Sequence, residues 1–191
     1  MLALKFKIAE TADEFEQIHQ LNYQAFVEEL PQHPPNPEHR LVDRFHAENT
    51  YIIGLSGQQV TAMCALRDRR PFSLDYKVSE LDRYLPSHRM LGEIRLLYIS
   101  PVSRNPATFR GLLERAAIYV IPLGWDMAVI SGTVRQQRLY RHLGFVPFGP
   151  LVGQPGAEFQ PMYWTLDAFR DRLHWLHALQ ETDNPARESP P

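Results

Sequence analysis

Residues 129–150 read VISGTVRQQRLYRHLGFVPFGP. Val129-Ile130-Ser131 closes a strand that begins near Trp125. Thr133-Val134-Arg135-Gln136 fits a capping box, with Thr133 at the cap and Gln136 reaching back from three residues on. Leu139 and Leu143 are one turn apart and are expected to face the sheet. Gly144 stands where a helix stops in the left-handed conformation. Tyr140 follows Leu139 by about 100° of helix rotation, which puts it at the flank of the buried face. A flank tyrosine can bury its ring and keep its hydroxyl toward a cleft. A packing tyrosine and a tyrosine with a chemical task both fit that position.

The rest of the chain is organised around this unit. Phe109, Leu112, Leu113, Ala116, Ala117 and Val120 are spaced i, i+3, i+4, i+7, i+8, i+11, the clearest amphipathic helix of the sequence. It joins a strand at residues 93–100, ended by Pro101, to the strand at residues 125–131. Strands joined in that way should pair in parallel through a right-handed crossover. Upstream, residues 6–8 form a short strand. Thr11 and Glu14 then fit a second capping box. Phe15, Ile18, Asn22, Ala25, Phe26 and Glu29 follow on one stripe of a helix that should stop at Leu30, before Pro31. Residues 31–37, PQHPPNP, form a proline-stiffened loop, either a connector or a wall of the site. Residues 50–55 and 59–66 read as a hairpin around Ser56-Gly57. Residues 67–90 are polar and irregular, with a short helix near residues 80–84. A last strand at residues 160–166 leads into a helix at residues 166–180. The fold class is mixed α/β: a twisted mixed central sheet flanked by helices, in one domain over residues 1–181. Residues 182–191 are expected to be a disordered tail or a linker.

Composition narrows the function. Hydrophobic residues make up 44% and charged residues 22% of the 191 residues, an ordinary globular balance. A net charge of −2 gives nucleic-acid binding no electrostatic support. The run Arg67-Asp68-Arg69-Arg70 reads as a solvated strand end; its functional reading is a phosphate contact. Cys64 is the only cysteine, within a strand, so a buried inert thiol is expected and no intrachain disulfide can form. No apolar run approaches the ~20 residues of a membrane span. The start lacks the apolar core of a secretion signal, so the expected location is cytoplasmic. His174 and His177 are spaced i, i+3 on the last helix, but no further ligand with metal spacing accompanies them, and no metal is expected. Ser131-Gly132-Thr133 lacks the flanks of a hydrolase elbow.

Glu93, Arg95, Leu97 and Ile99 alternate along one strand and should share a face. A carboxylate and a guanidinium two apart can pair, which offsets part of the cost of burying either. The pair is either structural, or Glu93 is a general base that takes a proton from an amine directly or through water. Asn105 has the character of a helix cap, with Pro106 at the first helical position.

Leu139-Tyr140, three residues, then Gly144-Phe145 resembles the last conserved segment of the GNAT acyltransferase superfamily, Asn-x-x-Ala-x-x-Leu-Tyr-x-x-x-Gly-Phe. Thr133 and Gln136 depart from that pattern. Glu93-Ile94-Arg95-Leu96 resembles a strand of one GNAT branch, which includes acyl-homoserine-lactone synthases and long-chain N-acyl amino acid synthases. Asn22-Tyr23-Gln24-Ala25-Phe26-Val27, Asp43-Arg44-Phe45 and Met63-Cys64-Ala65-Leu66-Arg67 resemble further segments of the same branch. The resemblance runs from about Phe6 to about Phe169. It implies a GNAT-like fold and transfer of an acyl group from a thioester to a small-molecule amine. By resemblance Tyr140 protonates the departing thiolate and Glu93 is the base. Leu97, Tyr98 and Ile99 would meet the pantetheine arm through their backbone. Arg104, Asn105 and Arg110 would hold the phosphates. Most members carry a Gln/Arg-x-x-Gly-x-Gly/Ala loop there; this chain keeps Arg104 but has Ala107 and Phe109 at the glycine positions. The donor implied is a coenzyme A thioester or the phosphopantetheine of an acyl-carrier protein. The alternative is a non-catalytic GNAT-like binding module of a larger protein.

Overall fold

A computed structural model describes residues 4–154 and 157–171. In chain order the elements are β1 (Lys5–Ile8), α1 (Ala12–Tyr23), β2 (Thr50–Ser56), β3 (Gln59–Arg67), β4 (Leu91–Ile99), α2 (Pro106–Val120), β5 (Met127–Thr133), α3 (Gln137–His142), β6 (Val146–Pro147), β7 (Val152–Gln154) and β8 (Ala157–Thr165). Residues 166–171 begin the expected last helix. Its remainder, with His174 and His177, and the tail at residues 182–191 lie outside the described residues. The strands form one sheet in the order β1-β2-β3-β4-β5-β8-β6, with β7 also beside β8. β4 and β5 run parallel, as expected from the helix between them, and the other described pairs are antiparallel. No helix among the described residues is long and apolar enough to cross a membrane.

The two long helices cover opposite faces of this sheet. Thr11 caps α1: its hydroxyl accepts from the Glu14 N–H, while the Glu14 carboxylate accepts from the Thr11 N–H, the reciprocal capping box. Ile18, Leu21 and Ala25 then pack on Tyr51, Ile53, Met63 and Ala65. The helix does not run evenly to Leu30. It widens into a π-helical turn over Gln24–Glu29, which stops where Pro31 follows. α2 starts at Asn105, whose side chain accepts from the Thr108 N–H at 2.9 Å, with Pro106 in the first turn. Its six-residue apolar stripe packs on Ile52, Cys64, Leu66 and Ile94 from the other side. Phe109, Leu112, Leu113 and Val120 each contribute about 1.5–3 kcal/mol by that burial. Cys64 is fully buried there, and burial pushes its thiol up to about 12. The segment between β3 and β4 carries its own anchors despite its polarity. Phe72, Leu74, Val78 and Leu81 close a third cluster against Met127, Val129 and Phe148.

Two irregularities shape β4. Leu96 has φ +50°, and Met63 pairs with Tyr98 while Ala65 pairs with Arg95, so two β4 residues oppose one of β3. This β-bulge shifts the alternation. Leu97 and Ile99 therefore lie toward α2, whereas Tyr98 packs in the cluster under α1. The expected shared face of Glu93, Arg95, Leu97 and Ile99 is broken at that point. The second irregularity is the pairing with β5, which holds only for Leu91, Gly92 and Glu93 against Met127, Ala128 and Val129. Past Glu93 the parallel strands part. Gly92 lies in that short seam because the Trp125 ring occupies the space a Cβ would need, 2.0–2.2 Å away.

The segment after β5 also departs from expectation. Thr133 does not cap the backbone: its hydroxyl donates to the Gln136 side chain at 3.1 Å, and the chain enters α3 through a 3-10 turn at Val134–Gln136. The changed phase rotates α3. Leu139 is exposed, and Tyr140 is the residue buried in the main core, with Leu143 partly buried beside it. Gly144 has φ +91°, the left-handed stop that the sequence requires.

Candidate functional site

The parting of β4 and β5 opens a cleft of about 1430 Å³. Residues 94–99 of β4 form one wall, and Ile130, Ser131 and Thr133 of β5 stand across from them. Beyond Glu93 no described strand pairs with the β5-facing edge of β4. Peptide groups on such an edge are free to meet an extended ligand arm. The Ile99 carbonyl is an exception, since Arg104 donates to it from Nε at 3.1 Å and from the guanidinium end at 2.9 Å. Leu30, Gln32 and His33 reach the cleft, so the proline-rich loop begins as part of its wall.

Glu93 lines the cleft with only 1% of its surface exposed. It accepts from the Ser73 N–H at 2.8 Å, the Leu74 N–H at 3.1 Å and the Ser73 hydroxyl. Arg95 Nε stands 3.5 Å away. Burial pushes the Glu93 pKa up; the Ser73 hydroxyl, Arg95 and the backbone donors oppose this, and the net direction is upward. The expected pairing of Arg95 with Glu93 is thus made through Nε alone, because the guanidinium fork is committed elsewhere. It donates to both carboxylate oxygens of Asp43, at 2.7 and 2.9 Å. Burial alone would raise the Asp43 pKa. The Arg95 bonds and charge, with the Phe45 N–H and Asn49, hold it below the usual carboxylate value.

Tyr140 stands on the wall that continues from β5. Its ring meets Phe145 edge-on at 5.7 Å and lies against Gly132, where a Cβ would come within 2.9 Å. Its hydroxyl donates to Gln136 Oε1 at 3.3 Å, and burial pushes its pKa up to about 12.

At the far end of β4, Arg104, Asn105 and Arg110 line the cleft together, as expected. They do not form a bare cationic cradle. The Arg104 guanidinium holds Glu29 at 2.9 and 3.1 Å, Asn105 is the cap of α2, and Arg110 stands 3.5 Å from Glu114. Tyr98 also donates to Glu29, so its side chain belongs to that cluster. Among the described residues, no three or more His, Cys, Asp or Glu groups come together as a metal site.

Glu29, Arg44, Ser73 and Lys77 are among the cleft residues that escaped the sequence reading. Glu29 was placed only as a helix-stripe residue, and Arg44 only within a resembling segment. Ser73 and Lys77 sit in a segment without periodicity, and no sequence signal marks them. Lys77 is exposed, but to the concave wall of the cleft. Its pKa is lowered by its surroundings, then by Arg95 and Arg44, with Glu93 opposing.

No family model matches the sequence, and no curated protein matches it in sequence. Solved structures do. A CoA-dependent acyl-homoserine lactone synthase, BjaI, solved with MTA, matches with a TM-score of 0.70 and 19% identity over 90% of each chain. FeeM, an N-acyl amino acid synthase from uncultured soil microbes, matches with a TM-score of 0.65 and 15% identity over 88% of this chain and 93% of its own. An acyl-CoA N-acyltransferase from Pseudomonas aeruginosa matches with a TM-score of 0.60 and 19% identity over 85% and 100%. These likenesses show the fold: the chain is folded as these proteins are, with acyl-homoserine lactone synthases and N-acyltransferases among its structural neighbours.

Proposed function

We propose that this protein is an N-acyltransferase that moves an acyl group from a thioester to an amine within the cleft between β4 and β5. The observation that carries the reading is that one cavity is lined by Glu93, Tyr140 and the unpaired edge of β4. The pantetheine arm of the donor lies along that edge, against Leu97 and Tyr98. The amine attacks the thioester carbon; its proton passes to Glu93, through the Ser73 hydroxyl that already donates to it. The C–S bond breaks, and Tyr140 donates a hydrogen bond to the departing sulfur. Arg104, Asn105 and Arg110 face the phosphate end of a coenzyme A donor. An acyl-carrier protein presents the same arm without the nucleotide.

Donor chain length follows from the walls. Ile94, Leu113, Leu143 and Phe145 line both the cleft and a small apolar cavity beneath α2, of about 40 Å³. Space of that kind favours acyl chains longer than acetyl. Thiol release from acetyl-, octanoyl- and palmitoyl-CoA with a panel of amines tests the proposal. Turnover should rise with chain length and fall by about 10²–10⁴-fold in Glu93→Gln. Silence with every donor and amine would instead support a non-catalytic binding module. The pairing of Arg104 with Glu29 and the missing glycines at the start of α2 favour that second reading. A donor that raises the melting temperature without being consumed would establish it.

A further inference from the structure

Two irregularities of the backbone meet on one carboxylate. The π-helical turn that ends the first helix runs over Gln24–Glu29, so Glu29 is its last residue. Such turns are frequent at functional positions. The bulge at Leu96 turns Tyr98 toward α1, and the Tyr98 hydroxyl donates to Glu29. Arg104 donates to both oxygens of the same carboxylate, at 3.1 and 2.9 Å. Its guanidinium lies 5.6 Å from the Tyr98 ring centre and is tied to the Ile99 carbonyl by two further bonds. Glu29, Tyr98 and Arg104 all line the cleft. The side chains of Arg104 and Glu29 are 48% and 34% exposed, so their pairing contributes little to stability and a ligand can break it.

The groups around Arg104 offer an incoming anion little. Arg110 stands 3.5 Å from Glu114, so each of these two arginines is accompanied by a carboxylate. The donors at the start of α2 are also largely occupied. Pro106 has no N–H. The Thr108 N–H is taken by the Asn105 side chain at 2.9 Å, and the Phe109 N–H by the Asn105 carbonyl at 3.2 Å. A phosphate arriving there must draw Arg104 off Glu29 and then lie beside the freed carboxylate. A group that repels one ligand sets specificity as effectively as a group that attracts another.

We propose that Glu29 is a specificity-determining residue that competes with the donor's phosphates for Arg104, so that a coenzyme A thioester is held by its acyl chain and pantetheine arm while its nucleotide adds little to affinity. The identity of the donor rests on the acyl-transfer reading. The anion that the sequence led us to expect at Arg104 is thereby supplied from within the chain, and Tyr98 is the positioning residue that keeps it there.

Calorimetry on the whole chain tests this with octanoyl-CoA and octanoyl-pantetheine, with no amine present. The wild type should bind the two within about threefold of each other. Glu29→Gln keeps an acceptor for the Tyr98 hydroxyl but removes the charge. It should bind octanoyl-CoA roughly tenfold tighter, with octanoyl-pantetheine and the melting temperature unchanged. Glu29→Ala should show the same gain for octanoyl-CoA, and adding Arg104→Gln to Glu29→Gln should remove it. The proposal is overturned by a wild type that prefers octanoyl-CoA by more than about tenfold. No gain in the Glu29 variants, an equal gain for both ligands, a gain that survives the loss of Arg104, or no binding of either ligand to any of these proteins would also overturn it. The wild-type ratio decides on its own if a variant does not fold. Thiol release with a panel of amines reads the acyl transfer separately. Release from both donors with a large preference for the CoA ester keeps the transfer and removes the role of Glu29. A gain in Glu29→Gln without release from either donor keeps the competition and removes the transfer.

Discussion

Removing one oxygen from Tyr140 separates its two roles. In Tyr140→Phe the ring keeps its edge-on contact with Phe145 and its seat on Gly132. The lost hydrogen bond to Gln136 is long, at 3.3 Å, so the stability cost should be at most about 1 kcal/mol. The catalytic cost follows from the acidity. Burial pushes the hydroxyl up to about 12, so it remains a donor across any assay pH. A departing thiol with an ordinary value of about 8.5 lies roughly 3.5 pKa units below it. Complete proton transfer to a free thiolate would then be uphill by about 5 kcal/mol. On the proposed acyl transfer, Tyr140 is therefore expected to act by hydrogen bonding to the sulfur as charge develops, and the good leaving group to end the step as thiolate. The expected loss in kcat is about 10²-fold, the lower end of the acid–base range, with the donor KM unchanged. Stopped-flow thiol release and a thermal melt on the same preparation measure both quantities. Full turnover in the variant would refute the reasoning, as would a loss of turnover that tracks a large drop in melting temperature.

Three further outcomes are expected. The base form of Glu93 is the carboxylate and its pKa is raised, so kcat/KM should climb with pH through a value above the ordinary carboxylate range of about 4.3; Glu93→Gln should lower turnover and remove that acid limb. Asp43→Asn leaves the guanidinium of Arg95, only 11% exposed, without its bidentate partner and should cost about 3–5 kcal/mol in urea unfolding at pH 7. Because the folded pKa of Asp43 lies below the unfolded value of about 3.9, its contribution is complete above that value and is lost as pH falls through the folded one; the gap between wild type and variant should narrow as the pH falls below the unfolded value. Gly92→Ala would drive a methyl into the Trp125 ring, which is 2% exposed, so unfolding should show a loss of about 3 kcal/mol, and a loss under 1 kcal/mol would contradict the packing described.

The sequence revealed elements whose signals are local. The Thr11–Glu14 box, the Asn105 cap, the α2 stripe and the stop at Gly144 are each written within a few residues, and each is present in the structure. It failed where phase depends on tertiary contacts. The 3-10 turn before α3 moved Tyr140 into the core and Leu139 to the surface, and nothing in residues 133–139 distinguishes that turn from a capped helix. The bulge at Leu96 is equally silent, because a strand is read as strict alternation. Glu93 and Tyr140 could be singled out by residue type. Ser73 and Lys77 could not, because only the packing of Phe72, Leu74 and Val78 brings their irregular segment to the cleft.

The parted strands have a topological consequence. The opening between β4 and β5 is a slot through the sheet. It is lined by Asn22 and Phe26 from the α1 layer and by Phe109 and Leu113 from the α2 layer. Ligands can enter such a slot from opposite faces and meet in the plane of the sheet, so neither has to pass the other or leave before the other arrives. An enzyme built this way has no need to store the acyl group on itself between two visits. On the proposed acyl transfer its kinetics should be those of a ternary complex, with intersecting rather than parallel double-reciprocal lines.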